Sequence, residues 1–145
     1  RYVPLHRKLV FAHRSLIEAL SGNVPFYELD AVGGSDSTLG FGGDRFIRGY
    51  DGNRFIDHIR TVFGFELRWD PLRFTFAKQD LMVGFVPFVD FGRVWKEIFP
   101  YDRGAWHAST GWGTRLIWNH RFVIRADFAI NPEGTNLFIE LGNSF

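Results

Sequence analysis

Glu66 and Asp90 are the residues of this chain whose type and placement could do chemistry together, and Arg48 is a cation in the long Gly-rich connection that precedes them. Two carboxylates on one face are the equipment of a glycosidase, one acting as acid and the other as base or nucleophile. Arg48, Arg68 and Arg93 favour a plainer use, because a buried carboxylate without a partner is costly and an ion pair meets that cost. Arg48 sits in GGDRFIRGY, residues 42–50, and in a glycine-dense connection over 21–58 that holds Gly22, Gly33, Gly34, Gly40, Gly42, Gly43, Gly49 and Gly52. Such density signals turns and close backbone approach. A phosphate-cradling loop does not fit, since no lysine follows the glycines and no helix-forming run comes after them. Asp30, Asp36, Asp44 and Asp51 lack the ligand spacing of a calcium loop. His6, His13, His58, His107 and His120 lie at scattered strand ends without paired metal-ligand spacing. No G-x-S-x-G elbow or Ser/His/Asp grouping is visible. The expectation is a chain that is not an enzyme, with no catalytic residue, no metal and no cofactor.

The elements that must position Arg48, Glu66 and Asp90 are strands of period two. Residues 59–70 (IRTVFGFELRWD) put Ile59, Thr61, Phe63, Phe65, Leu67 and Trp69 on one face and Arg60, Val62, Gly64, Glu66, Arg68 and Asp70 on the other. Residues 81–95 repeat the pattern, with Val83, Phe85, Pro87, Val89, Phe91 and Trp95 opposed to Gly84, Val86, Phe88, Asp90 and Gly92. Glu66 and Asp90 therefore share the less apolar face. Residues 105–119 set Trp106, Ala108, Thr110, Trp112, Thr114, Leu116 and Trp118 against His107, Ser109, Gly111, Gly113 and Arg115. In residues 121–130, Phe122, Ile124, Ala126, Phe128 and Ile130 oppose Arg121, Val123, Arg125 and Asp127. A strand before the loop is expected over 5–17 and a last one over 136–145, about six in all.

Two environments could demand one apolar and one charged face: a soluble sandwich, or a membrane barrel whose apolar face meets lipid and whose polar face lines a wet lumen. Strand length favours the barrel, because soluble strands average about five or six residues and a tilted membrane-spanning strand needs about 9–11. Trp106 and Trp118 are twelve residues apart on one face, roughly 40 Å along a strand, or roughly 30 Å of height at a tilt of about 40°. That matches the separation of two interfacial aromatic girdles, with Trp112 at mid-depth. The chain ends on NLFIELGNSF, which places Leu137, Ile139, Leu141 and Phe145 on one face and finishes on an aromatic carboxylate; Asn143 breaks the apolar series.

Taken in order, GGDRFIRGY, the glutamate of FELRW, the aspartate of FVDFGRVW and the terminal NSF resemble the C-terminal barrel half of the BamA/TamA surface-antigen superfamily of outer-membrane assembly and translocation proteins. The resemblance runs through essentially the whole chain, read as residues 1–145 of an outer-membrane β-barrel segment with a long inward-folding loop over about 20–58. It implies that Arg48, Gly49 and Tyr50 form a loop-lock motif, with Arg48 reaching Glu66 and Asp90 on the inner wall. It also implies that Leu137, Ile139, Leu141 and Phe145 form a C-terminal barrel signal, and that about six of sixteen strands are present.

Composition is compatible with that reading. A formal net charge of +1 gives no global pull toward nucleic acid, and basic residues do not cluster with exposed aromatics as a nucleic-acid platform requires. No run approaches the roughly 20 apolar residues of a membrane helix, which a barrel does not need. Zero cysteines suit an oxidising compartment, and aromatics reach 18% with 17 Phe. The first residue, Arg1, follows no Met and no signal-like region, so the chain reads as a mature chain or part of something longer. Six strands cannot close a membrane barrel, for which eight is about the lower limit. Further native residues before Arg1, several copies sharing one homo-oligomeric barrel, or strands missed within 21–58 are the ways to complete it. The expected role is insertion, assembly or translocation of polypeptides at the bacterial outer membrane, with lipid and client outer-membrane or secreted polypeptides as partners. The alternatives are a passive pore or small structural barrel that lost the assembly role, and a soluble ligand-binding barrel with its apolar faces turned inward.

Overall fold

Alternating apolar and polar residues are laid out in one antiparallel sheet of seven strands, arranged in sequence order from β1 to β7. A computed structural model describes residues 1–25, 29, 46–52, 54–96, 105–119 and 121–142. The strands are β1 (Tyr2–His6), β2 (Leu9–Ala19), β3 (Ile59–Phe76), β4 (Gln79–Trp95), β5 (His107–Trp118), β6 (Phe122–Asn131) and β7 (Gly134–Leu141). Each pairs with its neighbour by a simple up-and-down meander, and the sheet is open, with β1 and β7 at its edges. All the described secondary structure is strand.

Where about six strands were expected, the described residues form seven. The run over 5–17 is not one strand but parts of β1 and β2, which pair as Tyr2↔Ala12, Val3↔Phe11 and Pro4↔Val10 about a turn at Arg7 and Lys8. That turn carries none of the Gly, Pro, Asn or Asp residues that usually mark one. No strand is found among the described residues of the 20–58 connection.

A second difference lies in β3, which does not stop at Asp70 but continues to Phe76. Between Trp69↔Phe85 and Leu72↔Val83 the register shifts, with three steps on β3 against two on β4. One extra residue of this kind is a β-bulge, and Pro71, which has no N–H to give a ladder, sits in it. The bulge inverts parity, so Leu72, Phe74 and Phe76 join the face carried upstream by Phe65 and Trp69. Strict alternation ends at Asp70 although the strand does not. The β3–β4 hairpin closes through Ala77 and Lys78, both at positive φ (48° and 64°), as a two-residue turn between right-twisted strands requires.

The two faces have opposite fates. Ala12, Val62, Glu66, Val86, Phe88, Asp90, Arg115, Arg125, Asp127 and Ala129 are buried, whereas Leu67, Trp69, Phe85, Phe91, Trp112, Trp118, Leu137, Ile139 and Leu141 are exposed. A soluble barrel with its apolar faces turned inward would show the reverse, so that alternative is set aside. The apolar core is correspondingly small. Ile47, Tyr50 and Phe55 of the connection pack on Val62, with Leu16, Phe46 and Val94 around them, so the connection itself covers the inner face. The polar-in, apolar-out arrangement is that of a transmembrane barrel wall.

Candidate functional site

The inner face of β3, β4 and β6 presents Glu66, Asp90 and Asp127, and Arg48 arrives over them from the 20–58 connection. Asp90 receives most of the contact. Arg48 Nε donates to Asp90 Oδ2 at 2.7 Å, Nη2 to Oδ1 at 2.9 Å, and the Arg48 backbone N–H to Oδ2 at 3.2 Å. This two-pronged fork is the geometry in which a guanidinium best matches a carboxylate. The remaining amine, Nη1, donates to Glu66 Oε1 at 2.6 Å and reaches Asp127 Oδ2 at 3.5 Å. The guanidinium also lies over the ring of Phe88, 3.5 Å from its centroid, where the π face attracts a desolvated cation.

The site is buried: Arg48 is 2% exposed, and Asp90 and Asp127 are 0%. Burial alone disfavours the charged guanidinium, but Asp90, followed by Glu66 and Asp127, outweighs that penalty and holds the Arg48 proton more tightly than in free arginine. The carboxylates are in turn shared with wall arginines. Arg68 Nε donates to Glu66 Oε2 at 2.8 Å, and Arg115 pairs with Asp127. Arg125 lies 3.7 Å from Asp127 and donates to Glu140 Oε2 at 2.9 Å. Arg48, Arg68, Arg115 and Arg125 thus face Glu66, Asp90, Asp127 and Glu140, with Arg14 of β2 also coupled to Asp90 and Glu66. Each of these carboxylates has at least one cation partner, which is the arrangement of an ion-pair lock.

The neighbours of Arg48 explain why the motif reads Arg-Gly-Tyr. Gly49 has φ +99°, and a Cβ there would come within 3.0 Å of Asn131 Nδ2 and 3.1 Å of Ala129 Cβ; both the conformation and the close approach call for glycine. Its carbonyl accepts from Asn131 Nδ2 at 2.5 Å and Asn136 Nδ2 at 2.6 Å. Tyr50 is buried, sets its ring edge-on to Phe55 with centroids 5.1 Å apart, and donates its hydroxyl to the Ala108 carbonyl at 3.3 Å. Beyond it, Arg54 forms a two-pronged pair with Glu133 in the β6–β7 turn, at 3.1 Å for each contact. The connection therefore leaves β2, crosses the inner face, and is fastened as far over as β7.

A family model described as the Omp85 superfamily domain matches residues 1–145. This chain belongs to the Omp85 superfamily. No curated protein and no solved structure matches it. Omp85 proteins reside in the outer membrane, which accords with the polar-in, apolar-out sheet.

Within this Omp85 chain the structure brings together Arg48, Glu66 and Asp90, the three residues singled out from sequence, with Gly49 and Tyr50 buried beside them. Of the C-terminal signal, Leu137, Ile139 and Leu141 lie on the exposed face of β7, opposite Phe128, Ala126 and Ile124 of β6. Phe145 lies outside the described residues, as do Gly33, Gly34, Gly40, Gly42, Gly43, Asp30, Asp36, Asp44 and His120. Sequence reading did not single out Asp127, Arg115, Arg125, Phe88, Asn131 or Asn136. Asp127 and the two arginines already stood on the polar face of their strands, so parity placed them, but nothing local indicated that the connection would reach so far across the wall.

Proposed function

We propose that this chain is the wall and inward-folded loop of an outer-membrane barrel that inserts or translocates polypeptides at the bacterial outer membrane. The observation that carries the reading is the docking of Arg48. A loop cation buried beneath the connection and held by acids from three strands ties that connection to the inner wall. Catalysis of a covalent reaction needs a group free to change its protonation or bonding, and each member of this cluster is already paired. Fastening an insertion loop to a barrel wall is a mechanical use of the same chemistry. The edge strand β7 offers the complementary feature: its outer backbone groups lie at the edge of the sheet, where an extended client segment can add by strand augmentation.

The test is client insertion by the intact barrel reconstituted in liposomes, with a small urea-unfolded outer-membrane barrel as the client. Insertion faster than into empty liposomes, slowed by Arg48→Ala under conditions where the variant remains folded, supports the assembly role. Ion conductance without any acceleration of client folding points to a passive pore and overturns it.

A further inference from the structure

The three short turns at the end of the sheet opposite the 20–58 connection all carry cations: Arg7 and Lys8 between β1 and β2, Lys78 between β3 and β4, and Arg121 between β5 and β6. All four are exposed, and none has a carboxylate partner among the described residues. Lys78 occupies a position at φ 64°, where Asn or Gly is the conformationally favoured residue. The cation is therefore present in spite of local backbone preference. Arg73 is the exception on this rim, being paired with Asp80 at 2.6 Å.

Two open cavities lie on the exposed apolar face just above these turns. One, of about 640 Å³, is walled by Trp118, Phe122, Ile124 and Leu141, with Arg121 and Gln79 at its polar margin. The other, of about 520 Å³, is walled by Leu67, Trp69, Phe85 and Pro87, with Lys8 and His6 at its margin. The Trp118 indole is held in place by its N–H, which donates to Gln79 Oε1 at 3.0 Å. Lys8 Nζ donates to the Pro71 carbonyl at 3.1 Å, which uses one of the three ammonium donors and leaves the others for a ligand.

Each cavity thus combines an aromatic and aliphatic trough with a basic rim at one height of the sheet. We infer that the turn end of this barrel wall binds anionic glycerophospholipid, with an acyl chain in each trough and the phosphate at Arg121 or Lys8. Charge decides the ligand class: a zwitterionic headgroup would gain little net attraction from a rim of unpaired cations, whereas an anionic one gains about fivefold in affinity for each Lys or Arg near the surface. The tryptophans supply the flat amphipathic surface that sits at headgroup level. This inference rests on the sheet spanning a membrane and is independent of any client role.

The experiment is native mass spectrometry of the intact barrel, stripped of lipid in detergent and titrated with phosphatidylglycerol or with phosphatidylethanolamine of the same acyl chains. Phosphatidylglycerol should bind more tightly. Lys8→Gln and Arg121→Gln should each lower its affinity roughly fivefold while leaving phosphatidylethanolamine unchanged, and Trp118→Ala should weaken both lipids. Equal binding of the two lipids overturns the inference, as does a preference that survives the Lys8→Gln, Arg121→Gln double variant. Displacement of phosphatidylglycerol by equimolar glycerol phosphate overturns the requirement for an acyl chain. Failure of both lipids to bind would overturn the membrane-spanning reading along with it, whereas loss of client insertion alone would leave the lipid result standing.

Discussion

At the scale of single residues, Arg48 is worth more to its surroundings than its own contacts suggest, because it neutralises acids that have already lost their water. Removing one partner of a buried ion pair costs about 3–5 kcal/mol, most of it the penalty of the charge left behind. Arg48→Ala leaves Asp90 with none of the side-chain bonds that Arg48 supplied, and Glu66 with Arg68 on one oxygen. Arg48→Lys keeps the charge but cannot reproduce the fork on Asp90 while also reaching Glu66. In the intact native barrel both variants should make the connection protease-sensitive and lower heat resistance on gels, with Ala the more severe; an unchanged cleavage pattern for Arg48→Ala would remove the case for a lock. Gly111 offers a subtler test. A Cβ at this position would meet the Phe88 ring at 2.8 Å as well as the β6 backbone, and Phe88 is the ring beneath Arg48. The closest clash is with the Phe128 carbonyl of β6, which cannot shift cheaply, so Gly111→Ala should disturb the β5–β6 pairing and, through Phe88, loosen the connection with no change of charge, at a cost of at least about 1–3 kcal/mol. If it lowers heat resistance but leaves proteolysis of the connection at wild-type rate, Phe88 does not support the guanidinium.

Between elements, the connection is fastened to the β6–β7 hairpin by bonds that duplicate one another. The buried Gly49 carbonyl accepts from both Asn131 and Asn136, so either amide alone keeps it satisfied. Asn136→Ala should destabilise by about 1 kcal/mol or less and Asn131→Ala by more, because Asn131 Oδ1 also accepts from the Glu133 and Gly134 N–H groups of the turn; the double variant should lose about 1–3 kcal/mol more than their sum, since only then is the carbonyl stranded. Thermal unfolding of the four proteins of this cycle checks it, and strict additivity would show that the two amides do not serve one acceptor. The Arg54–Glu133 pair is half-exposed, so solvent screens it and its contribution to stability is small. Such bonds mark the limit of what the sequence discloses. Period-two alternation made β3 through β6 legible, and with them the shared face of Glu66 and Asp90. A backbone carbonyl as acceptor has no side-chain signature, so Asn131 and Asn136 looked like turn residues. The β1–β2 hairpin was hidden because Arg7 and Lys8 are not turn formers, and the bulge after Trp69 was hidden because it breaks the very alternation by which strands are found.

For the whole molecule, the decisive property is that the apolar face is outside. Phe65, Phe85, Val89 and Phe128 share that face, while Glu66 and Asp90 lie beneath the connection. Cysteine or photo-crosslinking substitutions at the four apolar positions in the reconstituted barrel should be labelled by a lipid-phase probe, and those at 66 and 90 should not. A detergent-free, water-soluble monomer with these phenylalanines shielded would reverse the assignment. The same outward face makes the sheet's edges consequential. β7 offers Leu137, Ile139 and Leu141 to the outside, the last 76% exposed, and one side of its backbone ladder pairs with β6 while the other lies at the sheet edge; β1 is the corresponding edge across the sheet. In hydrocarbon each unpaired backbone group costs several kcal/mol, so open edges are excluded from lipid and only a closed cylinder is admitted. Seven strands fall short of the roughly eight of the smallest membrane barrels. Residues 1–145 placed alone in detergent should therefore aggregate or assemble through β1 and β7 into an oligomer whose strands close a ring. Light scattering and crosslinking between cysteines placed at Val3 and Ile139 distinguish these outcomes. A stable, heat-resistant monomer would mean that this sheet satisfies its own edges and that β7 is not open to an incoming strand.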